Sequence, residues 1–275
     1  MNSHEIDLSV VMLNYKDANL TAKCVNHLIT STEKSEISTQ IIVVDNSAEE
    51  TAEELKHILP GNVEIIENIA NFGFSKANNQ GIVRSKGKYL LLLNNDAFVN
   101  PECIENGIKY FQENHDCGIW GPKLLGEDGS FQVSCARLPS IKGLMGEYIL
   151  HKNYDWYSDV LDWKEPHNVG NIVGAFLLTN KSVIKKVGLL DEDFFFNTED
   201  VDYCKRVHES GFNVVYDPRF TIVHIGGASQ DYSWVDDPYL HKYRILYFKK
   251  NHGTIKSFLA FFIINLGLKI MKIRF

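Results

Sequence analysis

The chain has 275 residues, 44% of them hydrophobic, and a formal charge of −7. That supplies a core for one large domain or two small ones and excludes a disordered chain. The charge is uneven: residues 238–275 hold eight basic residues and no acidic one, leaving 20 Lys+Arg against 35 Asp+Glu, a net of −15, in residues 1–237. An acidic body whose basic residues sit in an apolar tail argues against nucleic-acid binding. Five scattered cysteines (Cys24, Cys103, Cys117, Cys135, Cys204) form no CxxC pair. They argue against a zinc cluster or disulfide framework and point to a reducing compartment. The N-terminus reaches a charged residue too soon for a signal peptide, so a cytoplasmic protein is expected.

In chain order, "LSVVMLN" (8–14), "IIVVDN" (41–46), "VEIIEN" (63–68) and "KYLLLLN" (88–94) read as strands. Helical stretches are expected at 17–29, 49–58 and 74–84, and another after Pro101, which suits a first helical turn. Doubly apolar strands alternating with helices predict an α/β fold with an open, mostly parallel sheet flanked by helices. In such sheets ligands bind at the carboxyl ends of the strands. Here those ends read Asn14-Tyr15, Asp45-Asn46, Asn68 and Asn94-Asn95-Asp96. Residues 121–168 are less regular, with a hairpin turn at "GEDG" (126–129) and an aromatic loop at 154–166. Strand, helix and turn features return from Val169 to Pro218.

The tail, 239–275, is aromatic and basic, then strongly apolar. Its charge-free run Ser257–Leu268 reaches about 18 Å as a helix, short of the roughly 30 Å hydrocarbon core. Two readings stay open: an interfacial helix on anionic lipid, or a helix packing on the body or a second subunit.

Two nucleotide motifs are absent. No GxGxxG follows the first strand, and "GIVRSKGKY" has the wrong spacing for a P-loop, with Tyr89 where a metal-binding hydroxyl belongs. A nucleotide held by side chains and a divalent metal is the remaining option. Magnesium and manganese favour oxygen ligands and bridge carboxylates to diphosphates, a task Asp96 suits; "NND" also reads as a turn. In "FFFNTEDVDYCKR" (194–206), Thr198 can cap a helix whose first turn holds Glu199, Asp200 and Asp202. Those acids can serve the helix dipole or take a proton from a hydroxyl nucleophile. In "YDPRFTIVHIGGAS" (216–229), His224 ends an apolar run before two glycines. It reads as a structural histidine or a ligand.

Taken in order, "VVMLNYK", "IIVVDNS", "NFGFSKANNQG", "YLLLLNNDAFV", "VGAFLLTNKSVIKKVGLLDEDFFFNTEDVDYCKR" and "DPRFTIVHIGGAS" resemble the inverting family 2 glycosyltransferases of GT-A fold. The resemblance is to their bacterial rhamnosyltransferase-like branch in particular, and it covers roughly Leu8 to Gly253. It implies a GT-A catalytic domain over 1–235, with a nucleotide-sugar half to about 120 and an acceptor half from 121, and a helical extension over 236–275. Asn14, Tyr15, Asp45 and Asn46 would border the base and ribose of the donor, with Asn95 beside them. Asp96 would be the retained ligand of the DxD motif for Mn2+ or Mg2+, and His224 would approach the metal or the diphosphate. Asp200 would be the general base with Glu199 adjacent, and Gly174 and Ala175 would line the acceptor side. Asn94 replaces the first DxD carboxylate. Ala77-Asn78-Asn79 stands where many relatives have Ala-Arg-Asn, leaving Lys76 to substitute for the arginine.

The expected function is transfer of a sugar, rhamnose from dTDP-rhamnose, to a hydroxyl of a bacterial cell-surface glycan precursor, free or lipid-linked, at the inner face of the plasma membrane. Two alternatives are a UDP-hexose donor on the same fold and a catalytically idle nucleotide-sugar-binding or scaffold module.

Overall fold

The computed structural model describes residues 6–48, 51–152, 154–155, 157–226 and 237–274, the last three by backbone alone. The expected domain boundary at 235, and Gly227, Ala228 and Ser229 of the glycine-containing motif, lie outside the described residues.

The first half is built as the periodicity predicts. Strands β1 (Leu8–Asn14), β2 (Thr39–Asp45), β3 (Glu64–Glu67) and β4 (Tyr89–Asn94) alternate with helices α1 (Ala18–Lys34), α2 (Ala52–Ile58) and α3 (Phe74–Arg84). They pair in parallel in the order β3-β2-β1-β4. The leucine run of β4 is buried on both faces. Leu91 and Leu93 join Val10 and Met12 in one core, while Leu90 and Leu92 join Val11 and Ile42 in the other. Each such side chain contributes about 1.5–3 kcal/mol of burial, which fixes this strand at the centre of the fold. Strand order reverses between β1 and β4, and an open α/β sheet places its ligand crevice beyond the carboxyl ends at such a point, here beside Asn14 and Asn94.

The chain continues through β5 (Ala97–Phe98), α4 (Pro101–Glu113), β6 (Cys117–Leu125), β7 (Phe131–Gln132), β8 (Cys135–Ala136) and α5 (Ile141–Tyr148). The expected hairpin at 126–129 joins β6 to β7. Next come β9 (His167–Asn168), β10 (Asn171–Ile172), β11 (Phe176–Asn180), α6 (Lys181–Val187), α7 (Glu199–Glu209), β12 (Asn213–His224) and α8 (Pro238–Arg274). β11 enters antiparallel to β4 and β6, and β12 runs parallel to β6, giving a mixed, mostly parallel sheet β3-β2-β1-β4-β11-β6-β12-β5 with helices on both faces. All five cysteines are free and buried. Burial pushes the thiols of Cys24 and Cys135 up to about 12, so they pack as inert apolar groups.

The tail is a helix that bends at Gly253, whose φ of 81° suits glycine and breaks the helical path. Beyond the bend, Ala260, Ile264 and Met271 pack with Leu144 and Tyr148 of α5. Gly267 lets the two helices meet: a Cβ there would lie 2.5 Å from the Tyr148 Cβ.

Candidate active site

Residues from four strand ends converge in one hydrogen-bonded chain. Asn95 donates through Nδ2 to the Thr21 hydroxyl (2.9 Å), which donates to Asn14 Oδ1 (2.6 Å). Asn14 Nδ2 in turn reaches Asp45 Oδ1 and the Thr51 hydroxyl, both at 2.8 Å. Asp45 Oδ1 also accepts from the Thr51 hydroxyl (2.9 Å) and the Ser47 N–H (3.2 Å). Three donors on one oxygen fix the carboxylate at the mouth of β2. Asn46 Oδ1 accepts from Asn68 Nδ2 and the Phe72 N–H, tying β3 and the start of α3 to the same edge. Tyr15, half exposed at the end of β1, offers an aromatic face beside this network. Thr21, Ser47 and Thr51 were not anticipated. They are small hydroxyl residues within helices and turns, and only folding shows what they touch.

Asp96 and His224 lie side by side. His224 Nε2 lies 3.3 Å from Asp96 Oδ1, and both side chains are largely buried. Burial alone would raise the Asp96 carboxyl; His224 and the Gly226 N–H, 3.2 Å from Oδ2, reverse this and hold it below the usual carboxylate range. The imidazole is oriented by Gln132. The Gln132 Nε2 donates to the His224 carbonyl (2.8 Å), which turns Gln132 Oε1 toward His224 Nδ1, also at 2.8 Å. Nδ1 therefore carries a proton, and Nε2 is left facing the Asp96 carboxylate. An imidazole nitrogen and a carboxylate oxygen this close are a donor pair that would hold a divalent metal between them. Among the described residues no third His, Cys, Asp or Glu completes a cluster. The remaining coordination would come from the diphosphate and water, the usual habit of Mg2+. Replacing Gln132 with Leu should weaken Mn2+ binding about tenfold without unfolding the protein, because the ring loses its orienting acceptor. Titration of Mn2+ in the presence of a nucleoside diphosphate reads this directly.

Asp200 is held by two backbone donors: the Gly174 N–H to Oδ2 (2.9 Å) and the Val201 N–H to Oδ1 (2.8 Å). The next residue, Ala175, accepts the Asn94 N–H through its carbonyl (3.1 Å). Consecutive residues of one segment thus touch the carboxylate at 200 and the strand end that carries Asp96. Burial raises the Asp200 carboxyl, and the two N–H donors act against it. Glu199 is pushed up to about 8 by burial and by the neighbouring Asp200, and its Oε2 has no hydrogen-bond partner.

Thr198 corrects an expectation. It occupies the N-cap position of α7, but its φ of 74° is left-handed and its side chain caps nothing; an N-cap hydroxyl reaches the helix from extended backbone. Asn197 is left-handed too, with φ 69°. Each such residue costs about 1–3 kcal/mol, and this loop is pinned on both sides. The Phe195 carbonyl accepts the Phe74 N–H, Phe194 packs on Tyr243, and Asn197 Nδ2 donates to Asp237. Asp202 is structural, bonded to Arg206 and Asn251.

The structure does not bring Asn78 and Asn79 to the strand-end network. Asn78 donates to the Phe74 carbonyl, and Asn79 clasps the Leu190 backbone with both amide atoms. Lys76 is exposed, its ammonium 4.6 Å from the Phe72 ring centroid. Asp200 opens onto a cavity of about 210 Å³ also lined by Arg137, Leu144, Glu147, Asp155 and Arg244. These residues come from the segment that sequence periodicity left unassigned, and from α8.

A model described as "Glycosyl transferase family 2" matches residues 9–188. The dTDP-rhamnosyl transferase RfbF of Shigella flexneri is 27% identical over 268 residues, covering 92% of this chain and 82% of its own. An N-acetylglucosaminyl-diphospho-decaprenol L-rhamnosyltransferase of Mycobacterium tuberculosis is 25% identical over 79% of this chain and 75% of its own. A low-salt glycan biosynthesis hexosyltransferase of Haloferax volcanii is 26% identical over 76% of this chain, which spans only 64% of that relative. Among solved structures, the fold matches the Pyrobaculum calidifontis mannosyltransferase PcManGT in complex with GDP-Man and Mn2+. The TM-score is 0.63 at 11% identity, over 98% of this chain and 75% of that one. It also matches GalNAc-T7 with UDP, GalNAc and Mn2+, with TM-score 0.65 at 15% identity over 90% of this chain and 48% of that one. At these identities the structural likeness concerns the fold alone.

Proposed function

The chain belongs to glycosyl transferase family 2, and from that premise we propose that it is an inverting rhamnosyltransferase acting on a cell-envelope glycan precursor, with dTDP-rhamnose as donor. The observation that carries the chemistry is the Gly174-Ala175 link, which joins Asp200 to the strand end bearing Asp96. Displacement at an anomeric carbon needs a proton acceptor and a diphosphate anchor brought together, and this link ties one to the other. The donor assignment draws on the rhamnosyl transferases among the relatives.

In this reading Asn14, Asp45 and Asn46 hold the base and ribose, with the Tyr15 ring beside them. Asp96 and His224 hold Mn2+ or Mg2+, which when bound neutralises charge on the departing diphosphate. Asp200 takes the proton from the acceptor hydroxyl as that oxygen attacks the sugar's opposite face, and the anomeric centre inverts. Gly174 and Val201 keep both Asp200 oxygens aimed. The mixed-charge cavity over Asp200 receives the acceptor.

Nucleotide release from dTDP-, UDP- and GDP-sugars, with and without Mn2+, tests the reading. Metal-dependent cleavage of dTDP-rhamnose in preference to the others is the expected result. Preference for a UDP-hexose would replace the donor and keep the enzyme class, and absence of binding to any of them would overturn the site.

A further inference from the structure

Helix α8 is apolar on two opposite faces beyond Gly253. One face, with Ala260, Ile264 and Met271, is packed on α5. The other carries Ile255, Phe258, Leu259, Phe262 and Leu266, all at positions that helical spacing places on one side. Ile255 is 80% exposed, Phe258 64% and Phe262 59%, among the large hydrophobic residues most exposed in the chain. A helix apolar all round needs cover on both sides. We infer that this outer face lies on an anionic lipid bilayer.

Charge selects the occupant. Lys249, Lys256 and Lys269 are exposed along the same helix, and no residue after Asp237 is acidic. Two copies meeting through this face would bring lysines together with no acid in the segment to answer them. A surface of phosphate headgroups answers them all, while Phe and Leu enter the acyl boundary. Helix α5 and the residues just after it add exposed Met145 and Leu150, with exposed Lys142 and Lys152.

By length and composition alone, Pro238–Met271 would pass for a membrane-crossing helix. Its packing argues against that. Ala260, Ile264 and Met271 of the inner face pack with α5, and the two helices are joined by the Glu147–Arg244 ion pair, which a spanning arrangement would draw into hydrocarbon. Body packing thus takes the inner face of the tail, and the inferred bilayer contact would take the outer one. Leu144, Glu147, Leu240 and Arg244 of these same two helices also wall the cavity over Asp200. A lipid-linked acceptor would meet its base at the side of the protein that rests on the bilayer. That last step depends on the glycosyltransferase reading, whereas bilayer binding does not.

The test is co-sedimentation of the full chain with phosphatidylcholine vesicles, with and without phosphatidylglycerol. The expected result is binding that requires phosphatidylglycerol and is reversed by high salt. The variants F258S/F262S and K256E/K269E should each reduce the bound fraction at least about tenfold, with Tm and nucleotide-sugar binding unchanged. The lysine pair guards against a folding defect in the phenylalanine pair. The inference is overturned by no binding to anionic vesicles, by binding undiminished in both variants, or by a dimer dissolved by F258S/F262S without vesicle binding. Retention after alkaline extraction would overturn it in favour of a spanning helix.

Discussion

Asp200→Asn should leave the nucleotide sugar bound and reduce transfer by roughly a hundred- to ten-thousandfold, the range that a positioned general base supplies. The side chain sits between two N–H groups, Gly174 on Oδ2 and Val201 on Oδ1. A carboxylate accepts from both. An amide accepts from one and turns its NH2 toward the other, so Asn also costs about 1–3 kcal/mol of stability for the unsatisfied donor. Donor affinity by calorimetry separates lost chemistry from lost structure, and near-normal turnover in the variant would remove Asp200 from the mechanism. The pH dependence gives a second handle. Burial raises the Asp200 carboxyl, and only its ionised form accepts a proton, so the acid limb of the rate profile should lie above the ordinary carboxylate range. Stability runs the other way. The Glu199 carboxyl rises from 4.5 to about 8 on folding. A raised folded value means its contribution is full below 4.5 and is lost as pH climbs through about 8. Tm should fall across that window, and Glu199→Gln should flatten the fall.

The strand ends of the first half were legible because a doubly apolar parallel strand leaves its polar residues only at its termini. "LLLLNNDAFV" shows this well: four leucines serve two cores, and the oxygen-bearing side chains begin where the sheet stops. The helical stretch expected at 74–84 is α3, Phe74–Arg84. What sequence periodicity could not reach were contacts distant in the chain. Gln132 meets His224 across 92 residues, and α5 is stabilised by Gly267 lying against Tyr148 rather than by its own composition. Two of its eight residues are glycine, which weakens any helical signal. Its one local marker was Ser140, whose hydroxyl accepts the Gly143 N–H as an N-cap. Thr198 misled for a different reason. Its residue type suits a cap, but the aromatic anchors around it impose a left-handed backbone that no local rule anticipates.

Asp96→Asn should abolish metal-dependent donor cleavage, by about a hundred- to a thousandfold, comparable to losing one electrostatic contact to a developing anion. The size follows from how few ligands the site has. Residue 94 is an asparagine, not a carboxylate, and among the described residues no group of three His, Cys, Asp or Glu side chains is present. A site with three carboxylates could spare one; a site of Asp96 and His224 retains a single imidazole. Asn is the informative replacement because the Asp96 side chain also accepts the Gly226 N–H, and its carbonyl accepts the Ile225 N–H. An amide can keep the Gly226 contact through its oxygen and preserve the loop, so a loss of activity reports charge rather than shape. Mn2+ titration should show no saturable site in this variant, while binding of the bare nucleoside stays near normal, because Asn14 and Asp45 hold that end through a separate network. Loss of nucleoside binding together with metal would instead mean that the Asn95–Thr21–Asn14 chain transmits damage from one end of the crevice to the other. Cleavage that persists without metal in wild type and variant alike would leave Asp96 as the residue that ends a strand and anchors a loop, and would pass the burden of leaving-group stabilisation to cations such as Lys76.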